Sequence, residues 1–245
     1  MILRHTFSSL IVALAAPMVV HADEVTRYDL KVNDFTELKV VDNVNVIYRC
    51  VADSAGHVVF NATPSHAAAF IFQPDGAKLG IELAPEVAQN PDGLPTVTVY
   101  STFLSRAEND GKATLRIDNA AAGAKIKCVL VGNGRLVARG LNFTQVEASL
   151  MTGNGEIVVS GKCDVAKLSS TGTGQIQADE LVAREAKCRV VGTGSIGVNA
   201  SDALTVSGMG SGTVYFIGTP TIKNRTLGVK TKPLIDDNQA GEKAK

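Results

Sequence analysis

Several residue types that mark a functional class are scarce in this chain. The sequence has no tryptophan, aromatic residues make up only 5%, and 24 basic residues are balanced by 24 acidic residues. A cleft of stacked aromatic rings for sugars is therefore disfavoured, and a dedicated nucleic-acid binder would carry an excess of basic charge. Cysteine and histidine number four each, and no C-x-x-C pair occurs, so a thioredoxin-like motif and a zinc knuckle are excluded. We expect no nucleic-acid partner, no metal and no cofactor.

Long apolar runs are also missing, except near the N-terminus. Arg4 precedes an apolar run over residues 10–20, and Val20-His21-Ala22 has the small-x-small form of a cleavage site. This pattern predicts a signal peptide over residues 1–22. No later stretch approaches the roughly 20 apolar residues of a transmembrane helix. We therefore expect an exported protein, in the periplasm or on the outer cell surface, with no membrane span after signal cleavage.

Glycine, in contrast, is abundant and unevenly placed. Of the 23 glycines, 14 fall between positions 132 and 212. Most of these belong to a recurring pattern of glycine, a small polar residue, glycine, any residue and an aliphatic residue. The first glycines of the five copies are 21, 19, 20 and 18 residues apart. The ten glycines of the pattern are Gly132, Gly134, Gly153, Gly155, Gly172, Gly174, Gly192, Gly194, Gly210 and Gly212. We predict that they form structural corners, because glycine reaches positive φ without a Cβ penalty.

The residues after each Gly-x-Gly alternate between apolar and polar types. One apolar column is Leu136, Ile157, Ile176, Ile196 and Val214, and a second is Ala138, Val159, Ala178, Val198 and Phe216. A period of two is that of a β-strand with one buried face. A unit of about 20 residues is too short for a strand-helix-strand crossover and fits one coil of a β-solenoid, built from two or three short strands.

We therefore predict an all-β fold, a parallel β-helix or β-solenoid with about 20 residues per coil. The first half is rich in alternating segments that continue it, at residues 35–40, 44–48, 58–60, 69–72, 78–83, 96–100 and 112–117. The last of these reads as an early rung without glycine, and residues 84–94 read as a loop. The predicted organisation is a signal peptide (1–22), a strand-rich N-terminal part (23–120), the Gly-x-Gly solenoid (121–230) and a mobile polar tail (231–245).

The repeats resemble those of a known family. The rungs end in Gly208-Met209-Gly210-Ser211-Gly212-Thr213-Val214-Tyr215, followed by Gly218-Thr219-Pro220. This series resembles the putative autotransporter adhesin, head GIN domain family, over about residues 35–225. The resemblance implies a right-handed β-helix on an exported protein and no established biochemical activity. One departure is that Asn109-Asp110-Gly111 stands where the family often begins its Gly-x-Gly series.

Few residues along the repeats are candidates for catalysis or for binding an ion or a phosphate. A pectinase-like enzyme needs carboxylates that converge on adjacent coils. Asp164 and Asp202 would lie two coils, about 10 Å, apart, with Ala183 in the coil between them. Positions around each Gly-x-Gly carry no repeated Asp, so a calcium solenoid is disfavoured, and five copies of the motif argue against a phosphate loop. We expect no catalytic, cofactor-binding or metal-binding residues.

Two polar columns remain as candidates. Asn133, Asn154, Thr173, Thr193 and Ser211 lie between the paired glycines. They can contact a glycan, although bonding to the corner backbone is the favoured interpretation. Arg135 and Glu156 are expected to pair across adjacent rungs.

The four cysteines are Cys50, Cys128, Cys163 and Cys188. Cys128 and Cys188 share a repeat offset three coils apart, about 14 Å, which is too far for a disulfide. The pairing of the others stays open, and burial as small apolar residues is the simplest interpretation.

The sequence as a whole favours a non-enzymatic exported solenoid for adhesion or cell-envelope scaffolding. Its partner would be a cell-surface glycan or an envelope protein. A polysaccharide-degrading enzyme on the same fold and an envelope signalling protein are the alternatives.

Overall fold

The computed structural model of the chain describes residues 24–89 and 93–234. The predicted signal peptide, and residues 235–245 of the predicted tail, lie outside the described residues. The fold is a β-solenoid of about 6 turns, with equivalent residues roughly 20 positions apart per turn. The predicted fold class is therefore confirmed. All 17 strands of the described residues belong to one continuous sheet, so the strand-rich N-terminal half is continuous with the repeats.

The strands are β1 (Thr26–Lys31), β2 (Glu37–Val41), β3 (Val46–Cys50), β4 (His57–Ala62), β5 (Phe70–Asp75), β6 (Lys78–Leu83), β7 (Val97–Ser101), β8 (Arg106–Asp110), β9 (Thr114–Asn119), β10 (Gly123–Leu130), β11 (Arg135–Leu150), β12 (Glu156–Gly172), β13 (Gln175–Gly192), β14 (Ser195–Gly210), β15 (Thr213–Ile217), β16 (Thr221–Leu227) and β17 (Lys230–Pro233). Two single-turn helices, α1 (Pro64–Ala67) and α2 (Pro85–Ala88), and a 3-10 turn (Ala52–Ser54) interrupt them. Helix α2 falls in the segment predicted as a loop.

Strands β11 to β14 each run around a whole coil. They are 16 to 18 residues long, whereas the sequence predicted two or three short strands per coil. The strands are longer than predicted because their hydrogen bonding to the coils on either side continues through one bend of each coil. The register shifts there, between Ala138 and Leu141 of β11 and between Val158 and Gly161 of β12. Only the Gly-x-Gly corner breaks the strand.

The aliphatic columns form the core. Leu136 pairs with Ile157, Ile157 with Ile176, Ile176 with Ile196 and Ile196 with Val214. All five side chains are at most 1% exposed. The predicted rung without glycine is confirmed as β9, whose Leu115 pairs with Leu136 and extends the column toward the N-terminus. One coil cannot bury such a face alone, so the stacked coils are the stable unit.

The solenoid presents two long faces. The first face contains β7, β3 and β9, the halves of β11 to β14 that follow each Gly-x-Gly, then β15 and β17. The second face contains β6, β2, β8 and β10, the later halves of β11 to β14, then β16. The outward side chains of each face form ladders with a spacing of about 4.8 Å.

Antiparallel strands cover the N-terminal end. Strand β4 pairs with β7 and β1 pairs with β4, while β5 and β6 form a hairpin that closes between Asp75 and Lys78. Aromatic rings pack beneath this layer, with Phe60 5.3 Å from Tyr28 and 5.1 Å from Phe70 between ring centroids. These additions protect the first parallel edge from pairing with another chain.

Candidate binding surface

The ten predicted corner glycines lie at one bend of successive coils. The first glycine of each pair has a φ between 87° and 118°. An ideal Cβ on each second glycine would lie 2.3 to 2.7 Å from a carbonyl oxygen of the preceding coil. The row begins with Gly134, where that oxygen belongs to Gly111. The Asn109-Asp110-Gly111 segment, the departure from the family pattern, therefore takes the place of a first corner.

A buried amide stabilises the corner that lacks a Gly-x-Gly pair. Asn109 is fully buried, and its Nδ2 donates to the carbonyl oxygens of Ala113, at 2.8 Å, and Arg135, at 3.0 Å. Sequence reasoning had given this residue no role. Its position before the turn at Gly111 was the available signal, because a buried side-chain amide has to find hydrogen-bond partners and the backbone of a turn offers them.

Two of the five polar residues between the paired glycines, Asn133 and Thr173, bond through their side chains to the corner backbone. The backbone N–H of Asn154 donates to Asn133 Oδ1 at 3.1 Å, and Thr173 Oγ1 donates to the carbonyl of Gly153 at 3.4 Å. These contacts favour the backbone interpretation of this column over a glycan-binding one.

A hydrogen-bonded ladder crosses three coils of the first face. Arg135 Nε lies 2.6 Å from Glu156 Oε2, so the predicted pair across adjacent rungs is confirmed. Gln175 Nε2 and Gln177 Nε2 donate to Glu156 Oε1 at 2.7 and 2.9 Å. We call these four residues the polar ladder. Exposed ion pairs stabilise a fold little, so the main effect of these bonds is to hold amide and guanidinium groups in fixed positions.

A notch adjoins the polar ladder. Gly197 pairs with Gln177 on one side and with Tyr215 on the other, so the outward row has no side chain between them. The carboxylate of Asp179 leans over this gap, with Oδ1 3.3 Å from the position of a Cβ on Gly197. A tyrosine ring offers an apolar body and a polar tip. An aromatic ring, an amide and a carboxylate around a gap can contact one sugar unit. Sequence reasoning missed this site, although a glycine at an outward strand position was a visible signal.

On the second face, two carboxylates form ion pairs with neighbouring basic residues. Glu108 contacts Arg106 and lies 2.9 Å from Lys39 Nζ, and Glu147 lies 3.1 Å from Lys125 Nζ and 3.5 Å from Lys167 Nζ. Burial acts to raise the pKa of each carboxyl group, but hydrogen bonds and charges from these cations outweigh it and hold both pKa values below the ordinary 4.5. The depression beside Glu108 is shallow, with a volume of about 180 Å³.

The candidate acid pair does not converge. Asp164 lies between Cys163 and Val165, which pair with Ala183 and Glu185. Arg184 therefore stands beside Asp164, and its Nε lies 3.5 Å from Asp202 Oδ2. The sequence placed Ala183 between the two carboxylates. That register was wrong by one residue, because the coil bends shift the pairing.

Within the part of the chain that the structure describes, the cysteines and histidines form no reactive cluster. All four cysteines are free thiols, and burial raises the pKa of Cys128 and of Cys188 to about 12. His57 Nδ1 lies 2.7 Å from Asp29 Oδ1, and this hydrogen bond lowers the pKa of Asp29. Across 24–89 and 93–234, no group of three or more His, Cys, Asp or Glu side chains is arranged to hold a metal ion. The same ranges contain no helix long and apolar enough to cross a membrane.

Comparisons with known proteins agree on the family and the fold. The model of the family described as putative auto-transporter adhesin, head GIN domain, matches residues 34–220. The crystal structure of a putative adhesin from Bacteroides fragilis is 20% identical and has a TM-score of 0.76, covering 86% of this chain and 97% of that one. A putative lipid binding protein from Parabacteroides distasonis is 19% identical with a TM-score of 0.69, covering 87% and 98%.

A third structure, a putative adhesin from Parabacteroides merdae, is 16% identical with a TM-score of 0.64 and covers 87% of this chain and 97% of its own. At these identities the likeness establishes the fold. No curated protein matches the chain in sequence.

Proposed function

Because the chain belongs to the putative auto-transporter adhesin, head GIN domain family, we propose that it is an exported, non-enzymatic binding protein. It serves adhesion to a cell surface or scaffolding within the cell envelope. Its ligand is a cell-surface glycan, held along the first face by the polar ladder and the notch at Gly197.

The pre-organised polar ladder is the observation that supports this proposal. Glu156 accepts hydrogen bonds from both Gln175 and Gln177, so these side chains are already ordered before a ligand arrives. Groups that are fixed in the free protein lose less conformational entropy on binding, which raises affinity. The rungs repeat every 4.8 Å or so, and a polymer that lies along the solenoid axis can contact several of them at once.

The charge arrangement also favours binding over catalysis. Hydrolysis of a glycosidic bond needs an acid with a raised pKa beside a second carboxylate. The carboxylates of Glu108 and Glu147 have lowered pKa values and face cations, and Arg184 lies next to Asp202. Neither arrangement suits a general acid.

A glycan array followed by titration of the best ligand tests the proposal. The double variant Q175A/Q177A should weaken binding by about thirtyfold, because it removes two hydrogen bonds to the ligand and each is worth around 1 kcal/mol. Gln145 is a matched control, since its Nε2 donates to Glu147 Oε1 at 2.8 Å on the second face. Q145A should bind as the wild type does.

Equal loss in Q145A and Q175A/Q177A, or no glycan bound by the wild type, would contradict the proposal. Incubation with acidic polysaccharides tests the enzyme alternative directly. Reproducible chain cleavage that survives purification would make the protein an enzyme.

A further inference from the structure

One corner of the solenoid carries a row of five side chains, of which three are large, apolar and exposed. Thr171, Val191, Met209 and Leu227 pair in register at successive coils, and Met151 occupies the same corner one coil before Thr171. The exposed fractions are 55% for Met151, 58% for Met209 and 76% for Leu227. Exposed apolar rows of this kind are unusual on a protein surface and mark contact sites.

The C-terminal part of this row is surrounded by basic side chains. Residues 187–234 contain six basic residues and one acidic residue, Asp202, which faces Arg184. Arg225 precedes Leu227 by two positions on β16, so both side chains project from the same side of the strand. Arg189 has the same relation to Val191 on β13, and Lys230 follows the bend after Leu227.

These cations have no ion-pair partner among the described residues. No carboxylate oxygen of residues 24–89 or 93–234 lies within 4.0 Å of a charged nitrogen of Lys187, Arg189, Lys223, Arg225 or Lys230. Around Met151, in contrast, the cations are engaged, because Lys125 and Lys167 both contact Glu147. The row therefore has a neutralised end and an unpaired basic end.

We propose that the basic end, formed by Met209, Leu227, Arg189, Lys223, Arg225 and Lys230, docks on the surface of an anionic lipid bilayer. Met209 and Leu227 enter the boundary between headgroups and acyl chains, and the cations lie at the level of the phosphates. A hydrophilic acidic polysaccharide offers charge but no apolar phase for Met209 and Leu227. A second copy docked through the same patch would place like charges against each other. An anionic bilayer provides both negative charge for the cations and an apolar phase for Met209 and Leu227.

Co-sedimentation with vesicles tests the proposal and does not depend on the glycan proposal. Wild-type protein should bind vesicles of phosphatidylglycerol and phosphatidylcholine in equal parts, and should bind pure phosphatidylcholine vesicles far more weakly. K223Q/R225Q should lose affinity about tenfold or more, since each basic residue near an anionic surface contributes around 1 kcal/mol. M209Q/L227Q should lose a similar amount at any salt concentration.

M151Q is the matched control, because Met151 lies in the same row with nearly the same exposure as Met209. It should bind vesicles like the wild type, and all variants should share its circular dichroism spectrum and melting temperature. The proposal is overturned if the wild type does not sediment, or if M151Q is as weak as M209Q/L227Q. It is also overturned if a soluble acidic polysaccharide binds wild type and M209Q/L227Q equally well while vesicles do not bind. Self-association without vesicles that L227Q abolishes would identify a second copy as the occupant, and would also overturn it.

Discussion

At the scale of single residues, close approach of the backbones decides which positions need glycine. An ideal Cβ on Gly174 would lie 2.3 Å from the carbonyl oxygen of Gly155, whereas nothing lies within 4 Å of a Cβ on Gly140. Both glycines belong to the glycine-rich part of the chain, so composition alone does not separate them. The difference follows from where the neighbouring coil passes.

Replacing these two glycines separates the steric effect from the conformational one. G174A should lower the free energy of unfolding by about 3 kcal/mol, because the added methyl group pushes two coils apart. G140A should lower the free energy of unfolding by only about 1 kcal/mol, because alanine is strained at a positive φ but its methyl group meets no neighbouring atom. Urea denaturation of both variants measures the difference. Equal losses in the two variants would show that coil contact does not set the glycine requirement.

At the scale of elements, the last coil differs from the coils before it. Its inward positions include Asn224, which pairs with the buried Val206, and Thr231, which pairs with the buried Val214. Thr231 Oγ1 and Asn224 Oδ1 are 3.0 Å apart, so the side chains bond to each other across the open end. Strands β16 and β17 also carry Lys, Arg and Pro at the free edge. Polar terminal repeats of this kind keep a solenoid from stacking end to end.

Making the terminal coil apolar should therefore promote association. N224V/T231V should form concentration-dependent oligomers, because the exposed end then offers an apolar surface next to unpaired strands. Light scattering coupled to size-exclusion chromatography measures the mass. T205V adds the same kind of residue on an outward position of the second face and should leave the mass of the protein unchanged. Identical masses for all three proteins would mean that the polar cap has no such role.

At the scale of the whole molecule, charge on the second face links stability to acidity. The pKa of Glu147 is held below its ordinary value of 4.5 in the folded chain. Such a group contributes stability that is fully present above pH 4.5 or so and is lost as the pH falls through the lower, folded value. Glu108 acts in the same direction.

The melting temperature should consequently fall as the pH drops below about 4.5. E147Q should flatten this decline, because the glutamine side chain binds no proton in this pH range in either the folded or the unfolded state. E185Q, which alters a carboxylate with no ion pair among the described residues, should keep the wild-type profile. Differential scanning calorimetry at a series of acid pH values provides the comparison. A steeper decline in E147Q than in the wild type would reverse the assigned sign.

The sequence by itself determined the coil length, the inward columns and the corner residues. A Gly-x-Gly every 18 to 21 residues followed by alternating aliphatic residues is a local pattern, and local periodicity states which side chains face the core. The early rung at Leu115 was readable for the same reason.

Only the tertiary structure decided the surface. The placement of Arg184 beside Asp202, the gap at Gly197 and the exposed pair of Met209 and Leu227 all depend on the register between coils. That register shifts at each bend, by one residue between β11 and β12 and between β12 and β13 and by more between β13 and β14. Even a shift of one residue changes every neighbour on the surface. The pattern along the chain determines which residues are buried, whereas the neighbours of an exposed residue depend on how successive coils pair.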